Sequence, residues 1–211
     1  MNVLEDYKNL WVYIEAVDGK AKSVGLELLN PGRRLADINR EKLIAVVIGE
    51  DVYNVAKTAI AYGADEVILV EEDEYKEYST DGYVNVFDKL VRKYKPSTLL
   101  IGATNNGRDV TPRLSCRLKT GLTADCTGID IDEESGNVAW TRPAFGGNLM
   151  ATILCPNTRP QIGTVRPGVF KKIKPDFSKK SKISRERIYT PKEGIRTKLI
   201  ECIEETAGEL A

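Results

Sequence analysis

Histidine is absent from the 211 residues of this chain. A Ser-His-Asp or Cys-His catalytic arrangement therefore cannot be built from the chain alone, and most zinc sites would lack their usual imidazole ligand. Basic and acidic residues number 31 each, so no overall charge attracts nucleic acid or an anionic membrane. These absences argue against hydrolysis through a side-chain nucleophile and against nucleic-acid binding.

Long apolar runs are also missing. No segment approaches bilayer-spanning length, and the opening "MNVLEDYKNL" lacks the basic start and apolar stretch of a signal peptide. We therefore expect a cytoplasmic protein that does not enter a membrane. The cysteines match no zinc or CxxC spacing, so we expect reduced and mostly buried thiols at Cys116, Cys126, Cys155 and Cys202.

What the chain does contain is an alternation of strand and helix patterns. Apolar runs of strand length occupy residues 10–17, 42–49 and 97–103, and another follows the turn at Gly63. Residues 22–37 form a helical pattern, either whole or broken at Asn30. Two further helical stripes are Val52, Val55, Ala56, Ala59 and Ile60, and Val84, Phe87, Leu90, Val91 and Tyr94. This alternation predicts an α/β fold, a Rossmann-like three-layer domain with a mainly parallel sheet.

The pattern changes after Gly121. Short alternating runs separated by turn residues predict antiparallel strands appended to the sheet. The stretch "KKIKPDFSKKSK" is polar, basic and interrupted by proline, which is typical of a solvated surface connector rather than an anion site. At the end of the chain, an apolar helical spacing predicts the beginning of another segment, at Ile195, Leu199 and Ile203.

A loop with the sequence "GATNNGRD" follows the strand at 97–103. Its two glycines have the spacing of a Walker loop, but Arg108 and Asp109 stand where that loop needs lysine and a hydroxyl residue. No GxGxxG follows any strand either, so a dinucleotide fingerprint is missing. We expect Asp109 to cap the next helix, with Pro112 in its first turn, and we favour capping and packing over ligand contact.

Three ordered segments resemble a known family. The stretches "IGATNNGRDVTPRLSCRLKTGLTADC", "TRPAFGGNLMAT" and "TVRPGVF" are similar to the N-terminal domain of the α subunit of electron transfer flavoproteins, over residues 10–170. The resemblance implies that residues 1–190 are this Rossmann-like domain and that residues 191–211 are a linker or the start of a FAD-binding domain. Because that domain's glycine-rich motifs are absent, the α-subunit FAD is not expected on this chain.

The resemblance also implies a function. An α subunit of this kind pairs with a β subunit that holds AMP or, in bifurcating members, a second FAD. The complete heterodimer would pass electrons between carriers and a dehydrogenase such as acyl-CoA dehydrogenase, and the anaerobic branch includes members that split electron pairs from NADH. Alone, the surface meant for the partner could drive a homodimer. The alternative is an isolated nucleotide-binding or scaffold module without a redox role.

The family likeness singles out Arg142. It implies that this guanidinium approaches the flavin held by the partner subunit, near the N5 and O4 atoms of the ring, where it would donate hydrogen bonds and stabilise negative charge. The other interpretations are an ion pair with Asp130 or Asp132, or a surface arginine that precedes a proline. Phe145, Gly146 and Gly147 are expected to shape the loop that presents Arg142 to the cofactor.

Two further arginines follow strands of the predicted sheet. Arg108, with Asp109, is assigned to domain architecture or to the interface between subunits. Arg166 in "TVRPG" is expected to contact the flavin domain or its linker.

Overall fold

The computed structural model describes residues 3–197 and 199–201. The strands are β1 (Leu10–Tyr13), β2 (Ala16–Val17), β3 (Lys20–Ala21), β4 (Leu43–Gly49), β5 (Glu66–Glu71), β6 (Thr98–Gly102), β7 (Leu122–Cys126), β8 (Gly128–Ile131), β9 (Val138–Ala144), β10 (Leu149–Ile153), β11 (Gln161–Val165) and β12 (Lys182–Arg185). The α-helices are α1 (Ser23–Asn39), α2 (Tyr53–Ala61), α3 (Thr80–Tyr94) and α4 (Asn105–Leu118).

Seven of these strands form one sheet in the order β12-β5-β4-β1-β6-β11-β7, and every neighbouring pair is parallel. Alternate side chains of each central strand enter two separate cores, because successive residues of a strand point to opposite faces. In β1, Leu10 and Val12 pack with α1 and α2, whereas Trp11 and Tyr13 pack with α3 and α4. The predicted three-layer α/β class is confirmed.

The order in which the chain adds strands to the sheet reverses next to β1. The chain passes from β1 to β4 and then β5 on one side, and α3 carries it back to β6 on the other side of β1. The connections that leave the carboxyl ends of β1 and β6 therefore lead to helices on opposite faces of the sheet, and open α/β sheets bind their ligands at such a position. The loop "GATNNGRD" lies at this reversal.

Residues 22–37 are predicted to form a helix that is either whole or broken at Asn30, and the structure contains a whole helix, α1. It runs unbroken through Asn30, with Pro31 and Gly32 both buried. A side chain at Gly32 would come within 2.9 Å of Leu43 Cδ1 and 3.2 Å of Val12 Cγ2, so a small residue here lets the helix approach the sheet closely. Packing against β1 and β4 therefore outweighs the local preference of Pro31 to break a helix.

The region after Gly121 is only partly as predicted. An antiparallel sheet in the order β10-β9-β8 does form, but β7 and β11 join the parallel sheet instead. Strand β11 is not evident from the sequence because it contains the polar residues Gln161 and Thr164. Both are buried in the structure and accept hydrogen bonds from backbone N–H groups. The basic connector leads into an unforeseen edge strand, β12, which begins at the connector's last residue, Lys182, and pairs with β5. Lysine and arginine on an edge strand discourage pairing with other chains.

The antiparallel sheet is held on the parallel sheet by one close contact. Trp140 in β9 is fully buried, and a Cβ added to Gly163 in β11 would lie 2.1 Å from its Cζ3 atom. The side chain of Gln161 supports the same junction by accepting a hydrogen bond from the backbone of Val138 at 3.0 Å. Glycine at position 163 therefore makes room for the indole.

Gly163→Ala is expected to lower the free energy of unfolding by about 2 kcal/mol, because a methyl group would overlap the indole ring. Chemical denaturation with tryptophan fluorescence measures this loss. In the double variant with Trp140→Leu the combined loss should be smaller than the sum of the single losses, since the clash disappears with the ring. Additive losses would contradict the contact.

The segment after β12 runs back along α3. The Tyr75 hydroxyl donates to the carbonyl of Ile188 at 2.5 Å, and Asn85 Nδ2 donates to Thr190 Oγ1 at 2.8 Å. Arg196 then pairs with Asp81 at 2.7 Å, near the start of α3. The helical spacing predicted at the end of the chain gives no α-helix at Ile195, and Ile203 lies outside the described residues.

The Asp81 carboxylate is the last anchor of this segment. Hydrogen bonds from Arg196 lower its pKa from 3.8 to about 2, and the charges of Arg196 and Arg113 add to the effect while burial opposes it. Because the pKa in the folded state is depressed, the stabilisation is present above pH 3.8 and disappears as the pH falls toward about 2.

Asp81→Asn should cost about 1 kcal/mol of stability at neutral pH, since both arginine partners are solvent-exposed. The difference from the wild type should shrink once the pH falls below about 4, where the wild-type carboxylate also begins to lose its charge. Urea denaturation at a series of pH values tests this. Asp88→Asn, which removes only the pair with Arg92 within α3, is the matched control. An undiminished difference in acid would contradict the assignment.

In the part of the chain that the structure describes, no helix combines the length and the apolar character needed to cross a bilayer.

Candidate functional site at the carboxyl edge of the sheet

A β-bulge interrupts the pairing of β7 with β11. Thr123 pairs with Gly163 and Cys126 pairs with Val165, so two residues of β7 lie opposite the single Thr164. One of the two, Asp125, has a φ of 60°, a left-handed conformation that costs a non-glycine residue roughly 1 kcal/mol or more. Its N–H donates to Thr164 Oγ1 at 2.9 Å. Bulges of this kind redirect a side chain out of the strand's regular alternation.

Two arginines bind the Asp125 carboxylate. Arg166, directly after β11, donates through Nη2 at 2.7 Å and through Nε at 3.2 Å, while Arg108 in the first turn of α4 donates at 3.2 Å. The hydrogen bond from Arg166 lowers the pKa of Asp125; burial opposes this, and the charges of Arg166, Arg108 and Arg142 reinforce it. The carboxylate is therefore ionised and holds two guanidinium groups in fixed positions.

Arg142 is the third guanidinium near this carboxylate. It lies half-buried in β9, opposite Ala151 of β10, and its Nε makes one long hydrogen bond of 3.4 Å to the carbonyl of Pro143. Within residues 3–197 and 199–201 it forms no ion pair. Asp130 instead binds Arg34 at 2.6 Å. The Asp132 carboxylate accepts a hydrogen bond from Ser135.

The alternative ion pair predicted for Arg142 is therefore not formed, and among the described residues its two terminal nitrogens have no hydrogen-bond partner. We call Arg108, Arg142, Arg166 and Asp125 together the arginine cluster. It places three positive charges around one negative charge.

An exposed apolar hairpin adjoins this cluster. We define it as residues 142–154, which comprise the end of β9, the turn and β10. Phe145 at the turn is 83% exposed, and four more large apolar side chains are exposed, at Leu149, Met150, Ile153 and Leu154. Gly146 and Gly147 adopt φ values of 71° and 92°, which glycine tolerates best. Because β10 is also an edge strand, the hairpin has the features of a contact surface.

Comparison with known proteins identifies the family. A profile of the electron transfer flavoprotein domain matches residues 10–189. The chain belongs to the electron transfer flavoprotein family. It is 46% identical over 202 residues to the electron transfer flavoprotein subunit alpha of Thermoanaerobacterium thermosaccharolyticum, covering 96% of this chain and 61% of that subunit.

Two other relatives share this family likeness. Protein FixB of Clostridium saccharobutylicum is 46% identical over 203 residues, which are 96% of this chain and 60% of that protein. The acryloyl-CoA reductase electron transfer subunit beta of Anaerotignum propionicum is 40% identical over 227 residues, covering 96% and 62% respectively. This chain thus spans about three fifths of the length of these curated relatives. The resemblance to the α subunit of electron transfer flavoproteins is confirmed.

The loop "GATNNGRD" leads into helix α4, but the residue that caps this helix is not the predicted one. The helix α4 begins at Asn105, and the side chain of Thr104 caps it by accepting from Gly107 N at 3.0 Å. Asp109 therefore lies inside the helix, where it accepts from Tyr78, and Pro112 lies beyond the first turn. The expectation that Asp109 is the cap is wrong because the cap lies five residues earlier, at Thr104.

The cysteines also differ in part from the expectation. Cys126 is buried, and burial raises the pKa of its thiol to about 12, although the charge of Arg142 opposes this. Cys155 is half-buried and Cys116 is exposed, so the latter contradicts the predicted burial. Cys202 lies outside the described residues. Among the described residues, no group of three or more acidic or cysteine side chains could hold a metal ion.

Asp125→Asn is expected to release Arg108 and Arg166, because an uncharged amide binds guanidinium groups more weakly than a carboxylate does. NMR relaxation of the arginine Nε–Hε groups measures this, and we expect order parameters of both side chains to fall below about 0.6. Asp130→Asn should mobilise only Arg34 and serves as the control. Rigid Arg108 and Arg166 in the Asp125 variant would show that the bulge does not organise the cluster.

Proposed function

We propose that this chain is part of an electron transfer flavoprotein α subunit, which pairs with a β subunit and helps to form a flavin site for electron transfer. The observation that carries the proposal is Arg142, a guanidinium with unused donors that belongs both to the arginine cluster and to the exposed apolar hairpin. Membership of the family and the names of the relatives support the electron transfer role.

The residues present fit an approach to a partner-held FAD. An isoalloxazine ring offers acceptor atoms at N5 and O4 on a flat apolar surface, and FAD supplies the redox chemistry when bound. Arg142 would donate hydrogen bonds to such acceptors, and its fixed charge would stabilise negative charge that develops on the ring. The guanidinium is already partly dehydrated at the edge of the small sheet, which strengthens its electrostatic effect compared with that of a fully solvated arginine.

The hairpin would supply the apolar part of the same contact. Phe145 and Leu149 are more than half exposed at the tip, and Gly146 and Gly147 leave the turn free of side chains that would block close approach. Apolar side chains of this size are typical anchors at protein interfaces. The hairpin therefore docks on the β subunit, and in the absence of that subunit the same surface would favour a homodimer.

One relative supports a proposal for the class of electron donor or acceptor. One relative is an electron transfer subunit of acryloyl-CoA reductase, so an acyl-CoA dehydrogenase or a related enzyme is the partner we propose. The "TRPAFGG" and "TVRPG" segments resemble the anaerobic branch, in which NADH supplies electron pairs that are split between two acceptors. We extend the proposal to this bifurcating chemistry.

Arg142→Gln in the co-expressed heterodimer tests the proposal. Loss of a fixed positive charge should make the flavin harder to reduce, lowering its two-electron midpoint potential by about 30 mV or more. Potentiometric titration followed by visible absorbance measures the change. Arg187→Gln is the matched control and should leave the potential unchanged, because this side chain is 95% exposed and follows β12, the edge of the sheet opposite β7.

Either of two results would contradict this function. One is an unchanged potential in the Arg142 variant of a flavin-loaded complex. The other is tight binding of AMP or FAD by the chain alone, which would favour a separate nucleotide-binding module instead.

A further inference from the structure

A cavity of about 480 Å³ lies at the carboxyl ends of β1 and β4. It is next to the reversal of strand order between β1 and β6, where open α/β sheets bind ligands. Its volume is within the usual range for small-molecule sites. The cavity is separate from the arginine cluster, since none of the cluster's residues lines it.

Four tyrosines line this cavity, and three of their hydroxyl groups have protein partners. Tyr75 donates to the carbonyl of Ile188, Tyr78 to Asp109, and Tyr83 to the carbonyl of Tyr75 at 3.2 Å. These contacts fix the phenol rings around the opening.

The fourth hydroxyl, that of Tyr13, is different. Its side chain is only 3% exposed, yet in the described part of the chain the hydroxyl has no hydrogen-bond partner. Burial raises the pKa of Tyr13, and Tyr83, Glu15 and Tyr78, all cavity residues, raise it further. Because Tyr13 lines the cavity and its hydroxyl is not among the unpaired polar atoms that are sealed from solvent, this hydroxyl opens into the cavity. It is therefore free to bind a ligand there.

The charges around the cavity define what that partner can be. Glu15 is 4% exposed and is held by Thr104 Oγ1 at 2.5 Å, Asn106 Nδ2 at 2.9 Å and Lys22 Nζ at 2.9 Å. Four more carboxylates line the cavity, at Asp18, Glu50, Asp51 and Glu77. The single lysine in the lining, Lys76, already pairs with Glu50 at 3.2 Å.

This excess of negative charge disfavours a nucleotide phosphate and favours a cation. The faces of the tyrosine rings attract cations as well.

We propose that this cavity binds a small organic cation, an alkylammonium compound whose N–H group donates to the Tyr13 hydroxyl and whose charge is balanced by the surrounding carboxylates. The proposal is independent of the electron transfer function, because it needs neither the partner subunit nor a flavin.

Isothermal titration of the chain with 1,4-diaminobutane tests the site. We expect saturable binding of one molecule, with no binding of 1,4-butanediol, which has the same length without charge, and none of AMP. Binding of butanediol or AMP as strong as that of the diamine, or no binding of the diamine, would overturn the proposal.

Two variants locate the binding. Tyr13→Phe removes only the hydroxyl and should raise the dissociation constant about tenfold, as expected for the loss of one charge-assisted hydrogen bond. Tyr94→Phe removes a hydroxyl that binds Glu186 outside the cavity, and the affinity should not change. Asp51→Asn removes one carboxylate from the cavity lining and should weaken binding several-fold. Asparagine tolerates the φ of 50° at this position, so the backbone should not change. Unchanged affinity in the Tyr13 variant would overturn the assignment.

Discussion

The contact between Trp140 and Gly163 fixes the relation of the two sheets, and the candidate site depends on it. The buried indole of β9 occupies the space that any side chain at position 163 would fill. Because β9 is a single extended strand, fixing Trp140 also fixes Arg142 two residues further on, on the same face of the strand. The hairpin that begins at Arg142 then extends past the parallel sheet into solvent, where its apolar side chains are available to a partner.

The bulge at Asp125 adds an electrostatic constraint to this geometric one. A left-handed residue in β7 directs one carboxylate toward Arg108 and Arg166, which arrive from α4 and from the end of β11. Holding two arginines costs side-chain entropy, but the bidentate geometry of Arg166 offsets part of that cost. Since a single carboxylate cannot neutralise three guanidinium groups, the edge near Arg142 keeps a positive surplus that suits an electron-rich ring.

The sequence predicts the fold class because strong apolar periodicities decide it. The runs at β4, β5 and β6, and the stripes of α2 and α3, leave little choice of structure. Prediction fails where tertiary contacts override a local signal. Pro31 remains inside α1 because it is buried against the sheet, and β11 is a central strand although Gln161, Gly163 and Thr164 make it look polar.

The candidate site was only partly accessible from the sequence. The family resemblance led to Arg142 and the glycine turn, and the structure places them next to Arg108 and Arg166. Asp125, which joins these arginines, could not have been found, because neither a bulge nor a positive φ leaves a clear signal in one sequence. The same holds for Tyr13, since an unpaired hydroxyl becomes visible only when its neighbours are known.

Hydrogen–deuterium exchange of the chain, alone and with the flavin-loaded β subunit, tests the central claim most directly. The account predicts slower exchange of backbone amides in residues 142–154 and around Asp125 when the partner is bound. The distant edge formed by β12 and β5 should exchange at the same rate in both samples. Protection at β12 with none in the hairpin would contradict the claim that Arg142 and the apolar hairpin form the face that meets the flavin-bearing subunit.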